Sequence, residues 1–333
     1  MDPISQGILG AALPQAASRR KSVVLAGLAG FGAGLLPDAD VFIRSSTDPL
    51  LALEFHRQFT HSIFFIPFGG LIAAAIVHLV LWRWWRLPFR QTLIYCTLGY
   101  ATHGLLDFAT SYGTMLFWPF SDLRLSASII SVIDPLFTVP IAVLVGSAMA
   151  WKSPKLGRLA CAWAIFYLSL GTLQHFNARA MAADLAAGRG HAPGDITVKP
   201  SIGNILVWKT IYTVDDRYYV DAVRAGIAPR IYPGTSIAKL DIRRDFPWLD
   251  PGSQQYRDVS RFAWFSQGYV ALDPKVPNTV IDVRYSFLPN TVDPLWSVEV
   301  SPTAGPHDHV KWDGEREDGR PRIGEIWRMI VGG

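Results

Sequence analysis

Apolar residues gather in long, almost uncharged runs over the first 176 positions, and fall back to ordinary soluble spacing after them. A helix rises about 1.5 Å per residue, so crossing a hydrocarbon core of about 30 Å takes roughly 20 apolar residues. Four runs reach or approach that length: residues 62–82, 91–108, 129–151 and 156–176. A fifth, 22–36, is shorter and carries Gly27, Gly30, Gly32 and Gly34. Small residues at that density let helices approach closely in lipid, which predicts a buried span. Residues 4–17 are apolar but reach only part-way across, as a short or re-entrant helix does.

After residue 176 the pattern changes. A segment that starts helical at 178 loops through 188–194, giving a linker over 177–194. Residues 205–214 and 217–223 read as strands around Asp215 and Asp216, a hairpin signal. Further strand-like runs cover 261–272, 279–287 and 296–300, with Pro, Gly and Asn between them. The expected architecture is an α-helical polytopic membrane domain over 1–176, followed by a small β-rich soluble domain over 195–333.

Composition and charge sharpen this picture. Of 333 residues 50% are hydrophobic and only 17% charged, where a soluble domain carries about 25%. The net charge of +4 is small and scattered, which argues against nucleic acid as a partner. The cations fall instead in three clusters between alternate spans: Arg19, Arg20 and Lys21; Arg83, Arg86 and Arg90; Lys152, Lys155 and Arg158. The positive-inside rule makes that side cytoplasmic and sends 37–61, 109–128 and everything after 176 to the other face. The stretch WRWWR (82–86) fits an interfacial anchor. Asp2 stands where a signal peptide would have its basic region, and Cys96 and Cys161 both fall inside spans, so neither implies a disulfide framework.

The candidate chemistry lies on the non-cytoplasmic face. Asp38 and Asp40 follow Pro37 where the Gly-rich span emerges, and alternating carboxylates in extended backbone would offer hard oxygen ligands to a divalent ion. His56 and His61 stand five apart, about 140° around a helix, so they converge only if His56 lies in a loop and His61 at a helix start. His103 and Asp107 are spaced i, i+4 and project from one helical face. Imidazole with carboxylate suits zinc, with manganese as the alternative. Asp134 joins the same face, with helix capping as its plainer role. Arg57, beside His56, has the chemistry to pair with a phosphate oxygen. Each feature alone has a bland explanation, a solvated loop or a helix-packing hydrogen bond. Their shared face is what raises them together. His78, His175, His191, His307 and His309 lie apart from this face cluster or in loops, and no G-x-S-x-G nucleophile motif is present.

The succession MDPISQGILG, LLPDAD, HRQFTHS, HGLLDF, SYGTMLFWPFS and IDPLF resembles the YdjM/YbcI-type membrane-bound metal-dependent hydrolases over about residues 1–176. That family is grouped by similarity with zinc-dependent phospholipases C and P1-type nucleases. The resemblance implies phosphoester hydrolysis, and it implicates Asp2, Asp38, Asp40, His56, His61, His103 and Asp107 as metal-site residues. The chain departs from the family at Ser5-Gln6, where members commonly read Thr-His, so an amide oxygen replaces an imidazole. The expectation is a multi-pass protein of a bacterial inner membrane with its C-terminal domain outside. It would be a hydrolase acting on a phosphoester or lipid-linked substrate, with Asp38, Asp40 and Arg57 in catalytic roles and membrane lipids around it. The competing expectation is a non-enzymatic membrane protein whose polar cluster packs helices and whose C-terminal domain binds a partner. A transporter fits less well, because the polar residues avoid the midplane and no inverted repeat is visible.

Overall fold

A computed structural model describes residues 1–85, 88–314 and 322–332. The chain forms two units. The first comprises Met1–Ile43, Phe55–Leu173 and Ile202–Ile205; the second comprises Arg44–Glu54, Gln174–Ser201 and Leu206–Gly333.

The first unit is helical. α1 (Pro3–Ala17) is capped by the Asp2 carboxylate, which accepts from the Ser5 amide. α2 (Val23–Leu35) tightens at Pro37 into a 3-10 turn, Leu36–Phe42. The short α3 (Leu51–Phe55) lies, up to Glu54, in the second unit; beyond it the 3-10 turns Phe59–His61 and Ile63–Phe65 lead into α4 (Ile66–Trp85). α5 is Phe89–Ala109, α6 is Pro135–Ala150 and α7 is Pro154–Gly188. Among the described residues three stretches are long and apolar enough to cross a membrane, Val23–Phe42, Ile63–Val80 and Pro154–Gly188. Large apolar side chains stand exposed along them and along α6, among them Phe68, Ile72, Leu79, Val143 and Phe166. Facing inward are Ala26, Ala29, Ala33, Ala73, Ala74 and Cys96, packed with Tyr95 and Tyr100. Small residues inside and large ones outside is the arrangement expected where lipid, not water, covers the surface.

Close backbone approach requires glycine where α1, α2 and α5 cross. A Cβ on Gly30 would lie 2.2 Å from the Gly10 carbonyl oxygen, and one on Gly99 would lie 2.5 Å from the Gly30 oxygen.

Several expected boundaries move, each for a local reason. The run 129–151 becomes helical only at Pro135, because Asp134 before the proline is extended (φ −137°, ψ 100°) and caps the Leu136 and Phe137 amides. α7 does not stop at 176: the Ala-rich stretch that follows has no breaker before Gly188, so the helix runs on for 35 residues in all. Asp38 and Asp40 sit in the 3-10 turn and not in extended backbone. The anchor stretch 82–86 lies outside the described side chains, and Arg86 outside the described residues.

The second unit holds two antiparallel four-stranded sheets, each ordered as the chain runs. The first contains β1 (Ile196–Pro200), β2 (Val207–Val214), β3 (Arg217–Arg224) and β4 (Arg230–Ala238). The β2–β3 hairpin turns at Asp215 and Asp216, where expected, with Asp215 at φ +50° and Val214 opposite Arg217. The second sheet contains β5 (Val270–Leu272), β6 (Thr279–Asp282), β7 (Ser297–Glu299) and β8 (Lys311–Asp313). Ile211, Tyr218 and Val220 pack with Ala271, Ile281 and Val283 in one core. Helices α8 (Ile242–Asp245), α9 (Gln254–Phe265) and α10 (Ile323–Val331) complete the unit.

The run 261–272 is therefore not one strand. Its first part closes α9, whose buried residues Gln255, Asp258, Val259, Phe262 and Phe265 recur at helical spacing behind the Ser253 cap. Within this unit Arg261 holds the Arg44–Glu54 segment, donating to Asp48 (2.8 Å) and Glu54 (2.6 Å).

Candidate metal centre

Three pieces of the first unit bring ligand-type side chains together. The 3-10 turn after α2 supplies Asp38 and Asp40, the turn 56–61 supplies His56 and His61, and α5 supplies His103 and Asp107 on one face. The 56–61 segment is fixed from several sides. Tyr100 donates its hydroxyl to the Thr60 carbonyl (2.7 Å), the Met115 amide donates to the Arg57 carbonyl (3.0 Å), and Ser62 donates to the Trp118 carbonyl (2.6 Å). The last two partners belong to the SYGTMLFWPFS stretch, which thus braces the histidine segment. Arg57 takes φ +62°, and this reversal lets His56 and His61 approach, with ring centroids 5.9 Å apart.

Asp38, His61, His103 and Asp107 each offer one ligand atom, all within 4.8 Å of one another. The separations are 2.9 Å between the two Nε2 atoms, 3.1 Å from His61 Nε2 to Asp107 Oδ2 and 3.3 Å from His103 Nε2 to Asp38 Oδ1. His61 Nε2 lies 3.6 Å from Asp38 Oδ1, and His103 Nε2 lies 3.8 Å from Asp107 Oδ2. Tetrahedral bonds of about 2.0–2.1 Å put neighbouring ligand atoms roughly 3.3 Å apart, so the set is already near the right size.

Hydrogen bonding sets which ring nitrogens face inward. The Gly34 carbonyl, 2.6 Å from His103 Nδ1, can only accept, so Nδ1 carries the proton. Thr60 gives its hydroxyl proton to Asp40 Oδ2 (2.9 Å), so its oxygen, 2.9 Å from His61 Nδ1, accepts from that ring. With both Nδ1 atoms so engaged, the two Nε2 atoms face each other at 2.9 Å, an arrangement that either a shared proton or a metal ion between them satisfies. Outer hydrogen bonds of this kind are how metal-binding histidines are oriented. Burial opposes charge on His61, yet its contacts with Asp107, Asp38 and Asp40 outweigh it and push the pKa up to about 10. Asp107 Oδ2 and Gln6 Oε1 are enclosed without a well-directed hydrogen bond, although Arg57 Nε lies 3.1 Å from that same Asp107 oxygen. The donor set, its spacing and these two oxygens fit a divalent metal ion.

A second group, Asp38, Asp40 and His56, shares Asp38 with the first. Asp40 is saturated: its Oδ1 is 2.8 Å from His56 Nδ1, and its Oδ2 accepts from the Arg57 amide (3.0 Å) and Thr60. The side chains of Asp38 (22% exposed) and His56 (36%) are the parts of the cluster that reach solvent.

The expected residues thus divide. Asp38, His61, His103 and Asp107 converge, while Asp40 and His56 pair beside them. Asp2 does not enter either group; it caps α1. Asp134 also stays apart, capping α6 and accepting from the Tyr167 hydroxyl (2.9 Å). Arg57 is buried against Asp107, Thr110 (3.1 Å) and the Tyr112 ring. Gln6 donates to Asp107 Oδ1 (3.0 Å), which the Met1 amino group also contacts. Thr60, the Gly34 carbonyl and the Met1 amine carry no sequence signal of their own.

The model of the YdjM inner membrane protein family matches residues 1–178, more than half of the chain. The chain belongs to that family. Two curated relatives are also similar. The uncharacterized protein YfhP of Bacillus subtilis (strain 168) is 28% identical over 133 residues, covering 40% of this chain and 38% of YfhP. The inner membrane protein YbcI of Escherichia coli (strain K12) is 33% identical over 101 residues, covering 30% of this chain and 56% of YbcI. The chain therefore spans between about two fifths and just over half of these relatives' lengths. No solved structure matches it. Every residue of the cluster in this YdjM-family protein lies inside the matched region, and both sheets lie beyond it.

Proposed function

We propose that this YdjM-family protein is a membrane-bound, metal-dependent hydrolase acting on a phosphoester or lipid-linked substrate at the outer face of the inner membrane. One observation carries the reading: two imidazole Nε2 atoms and two carboxylates, fixed from behind, meet at the spacing of a tetrahedral site. Asp38, His61, His103 and Asp107 would hold the ion, with zinc the first choice for this ligand set and manganese the second. A divalent ion there would polarise a phosphoryl oxygen and acidify water near neutral pH.

The chain's own groups divide the remaining work. Arg57 and the Met1 amine hold Asp107 in place, and Arg57 offsets its charge. Asp40 orients His61 through Thr60 and also fixes His56 Nδ1, leaving His56 Nε2, on the exposed side, to take or give a proton. Arg57 is enclosed, so substrate phosphate is not its partner; this revises the role expected from its neighbourhood in sequence. Multiple passes and an outward-facing C-terminal unit follow from the three cationic clusters.

A second reading has its own support. Arg57 already offsets carboxylate charge at Asp107, and the Met1 amine occupies its other oxygen, as in a self-contained polar network that only packs helices. Metal content separates the two. Purified wild type is expected to carry at least one zinc or manganese ion per chain, and His103→Ala far less at the same helical content. Equal metal in both proteins would leave the packing network as the answer. His56→Gln is expected to retain metal while losing turnover of a generic phosphodiester.

A further inference from the structure

The turns at the opposite ends of α1 and α6 from the capping residues Asp2 and Asp134 carry a different chemistry. The α1–α2 turn holds Arg19, Arg20 and Lys21, and the α6–α7 turn holds Lys152, with Lys155 and Arg158 in the first turns of α7. The two turns are neighbours. Arg158 Nε donates to the Ala16 carbonyl (3.2 Å), and a Cβ on Gly157 would lie 2.8 Å from the Ala16 nitrogen. Between them opens a cavity of about 810 Å³ whose lining includes Arg20, Lys152, Lys155, Trp151, Leu156 and Leu159. Neither residues 3–37 nor residues 135–183 contain an Asp or Glu before Asp38 and Asp184 respectively. Among the described residues no carboxylate pairs with Arg20, Lys152 or Lys155.

Three unpaired cations on one cavity attract an anion. The rest of the lining narrows the choice. Trp151 is 68% exposed and Leu159 53% exposed. An indole at the end of an apolar helix belongs at the membrane–water boundary, and exposed leucines on α7 continue from there into the hydrocarbon. Basic pockets between membrane helices suit lipid phosphate held this way. A free phosphate ion would use the cations and leave the apolar half bare. We propose that this cavity is a headgroup site for an anionic phospholipid, with the phosphate on Arg20, Lys152 and Lys155 and the first acyl carbons against Trp151, Leu156 and Leu159. It stands apart from the metal centre and does not depend on it.

The test uses the full-length protein in a neutral detergent. Lipid retained through purification is measured by mass spectrometry, and thermal stability is titrated with cardiolipin, phosphatidylglycerol, phosphatidylcholine and inorganic phosphate. Wild type is expected to retain an anionic lipid and to be stabilised by cardiolipin or phosphatidylglycerol, but not by the other two. The triple variant Arg20→Gln, Lys152→Gln, Lys155→Gln is expected to weaken that response at least ~10-fold, since each cation near an anionic surface contributes to binding. Trp151→Ala, a surface change that should not disturb folding, is expected to weaken it several-fold. A matched loss of three exposed charges elsewhere, Arg217→Gln, Arg243→Gln, Lys311→Gln, should leave it at the wild-type level. A lipid response at the wild-type level in both the triple variant and Trp151→Ala would overturn the site. So would inorganic phosphate stabilising as well as lipid, or the matched control losing the response too.

Discussion

At the metal centre the decisive side chains are those that hold the histidines from behind. Thr60 relays between His61 Nδ1 and Asp40, at 2.9 Å on each side. Valine has the same shape without the hydroxyl, so Thr60→Val leaves packing intact and removes the acceptor that fixes the ring. Outer hydrogen bonds of this type are worth roughly 10–100-fold in metal affinity. Thr60→Val should lose affinity within that range, read by chelator competition, and an unchanged affinity would remove Thr60 from the site. Gly104 makes a second residue-scale case. A Cβ there would stand 2.3 Å from the His61 carbonyl oxygen, which is backbone and cannot swing aside. Gly104→Ala must shift the 59–61 turn away from α5, costing on the order of 1–3 kcal/mol in overpacking. Metal content should fall with it, although no ligand has changed. His103 and Asp107 were legible in sequence because i, i+4 spacing on a helix dictates a shared face. The sorting of Asp38 from Asp40 was not. A 3-10 turn advances about 120° per residue, so positions two apart point away from each other. Asp38 accordingly reaches the His61–His103 pair, while Asp40 reaches His56 and Thr60.

Among the elements, α1, α2 and α5 form the scaffold that fixes the ligands, and glycine governs how near they come. Gly10, Gly30 and Gly99 stack backbone on backbone, and the Gly34 carbonyl one turn beyond Gly30 receives His103. Gly30→Ala places a methyl 2.2 Å from the Gly10 oxygen, which is backbone, and 2.6 Å from the Pro14 ring. The helices must part, and the expected loss is on the order of 1–3 kcal/mol in thermal stability, with metal content falling in parallel as Gly34 moves from His103. Gly146→Ala, with open space around the site, serves as the control and should change neither quantity. The glycine run in α2 announced a buried helix, because small residues serve little else in a membrane span. Element boundaries in the second unit were harder to read. β4 is largely exposed and includes Pro233 and Gly234, so it lacks the apolar alternation that marks a half-buried strand. α9 hid inside a run of aromatic and apolar residues that also suits a strand; only the burial of every third or fourth residue distinguishes it.

Taken whole, the chain joins a helical unit whose surface suits lipid to a sheet unit that buries several charged side chains. Family likeness covers the first and stops at residue 178, so the second unit must be understood from its own physics. Its least ordinary feature is a pair of buried lysines. Lys199 on β1 stands directly opposite Lys209 on β2, and both are almost fully enclosed. Lys209 donates to Ser286 Oγ and to the Thr291 carbonyl, each at 2.7 Å. Burial pushes its pKa down to about 7, against the partial support of Asp282 and Asp293; Lys199 is driven well below its ordinary value by burial and by the charges of Arg284 and Lys209. An unfolded lysine keeps its proton to about 10.4, so between pH 7 and 10 the unfolded chain binds more protons than the folded one. Stability must then rise with pH across that window, by at most about 1.4 kcal/mol per pH unit for each such lysine. This is opposite in sign to a domain held by cationic lysine ion pairs. Pulse proteolysis in urea at pH 7.0, 8.0 and 9.0, scored on fragments from the sheet unit, reads the slope. Lys209→Met removes one titrating amine while filling the same space, so its slope should be shallower and its stability at pH 7 higher. A wild-type profile that stays flat over these two units would mean that both amines keep their protons inside the fold, held by acceptors strong enough to offset burial.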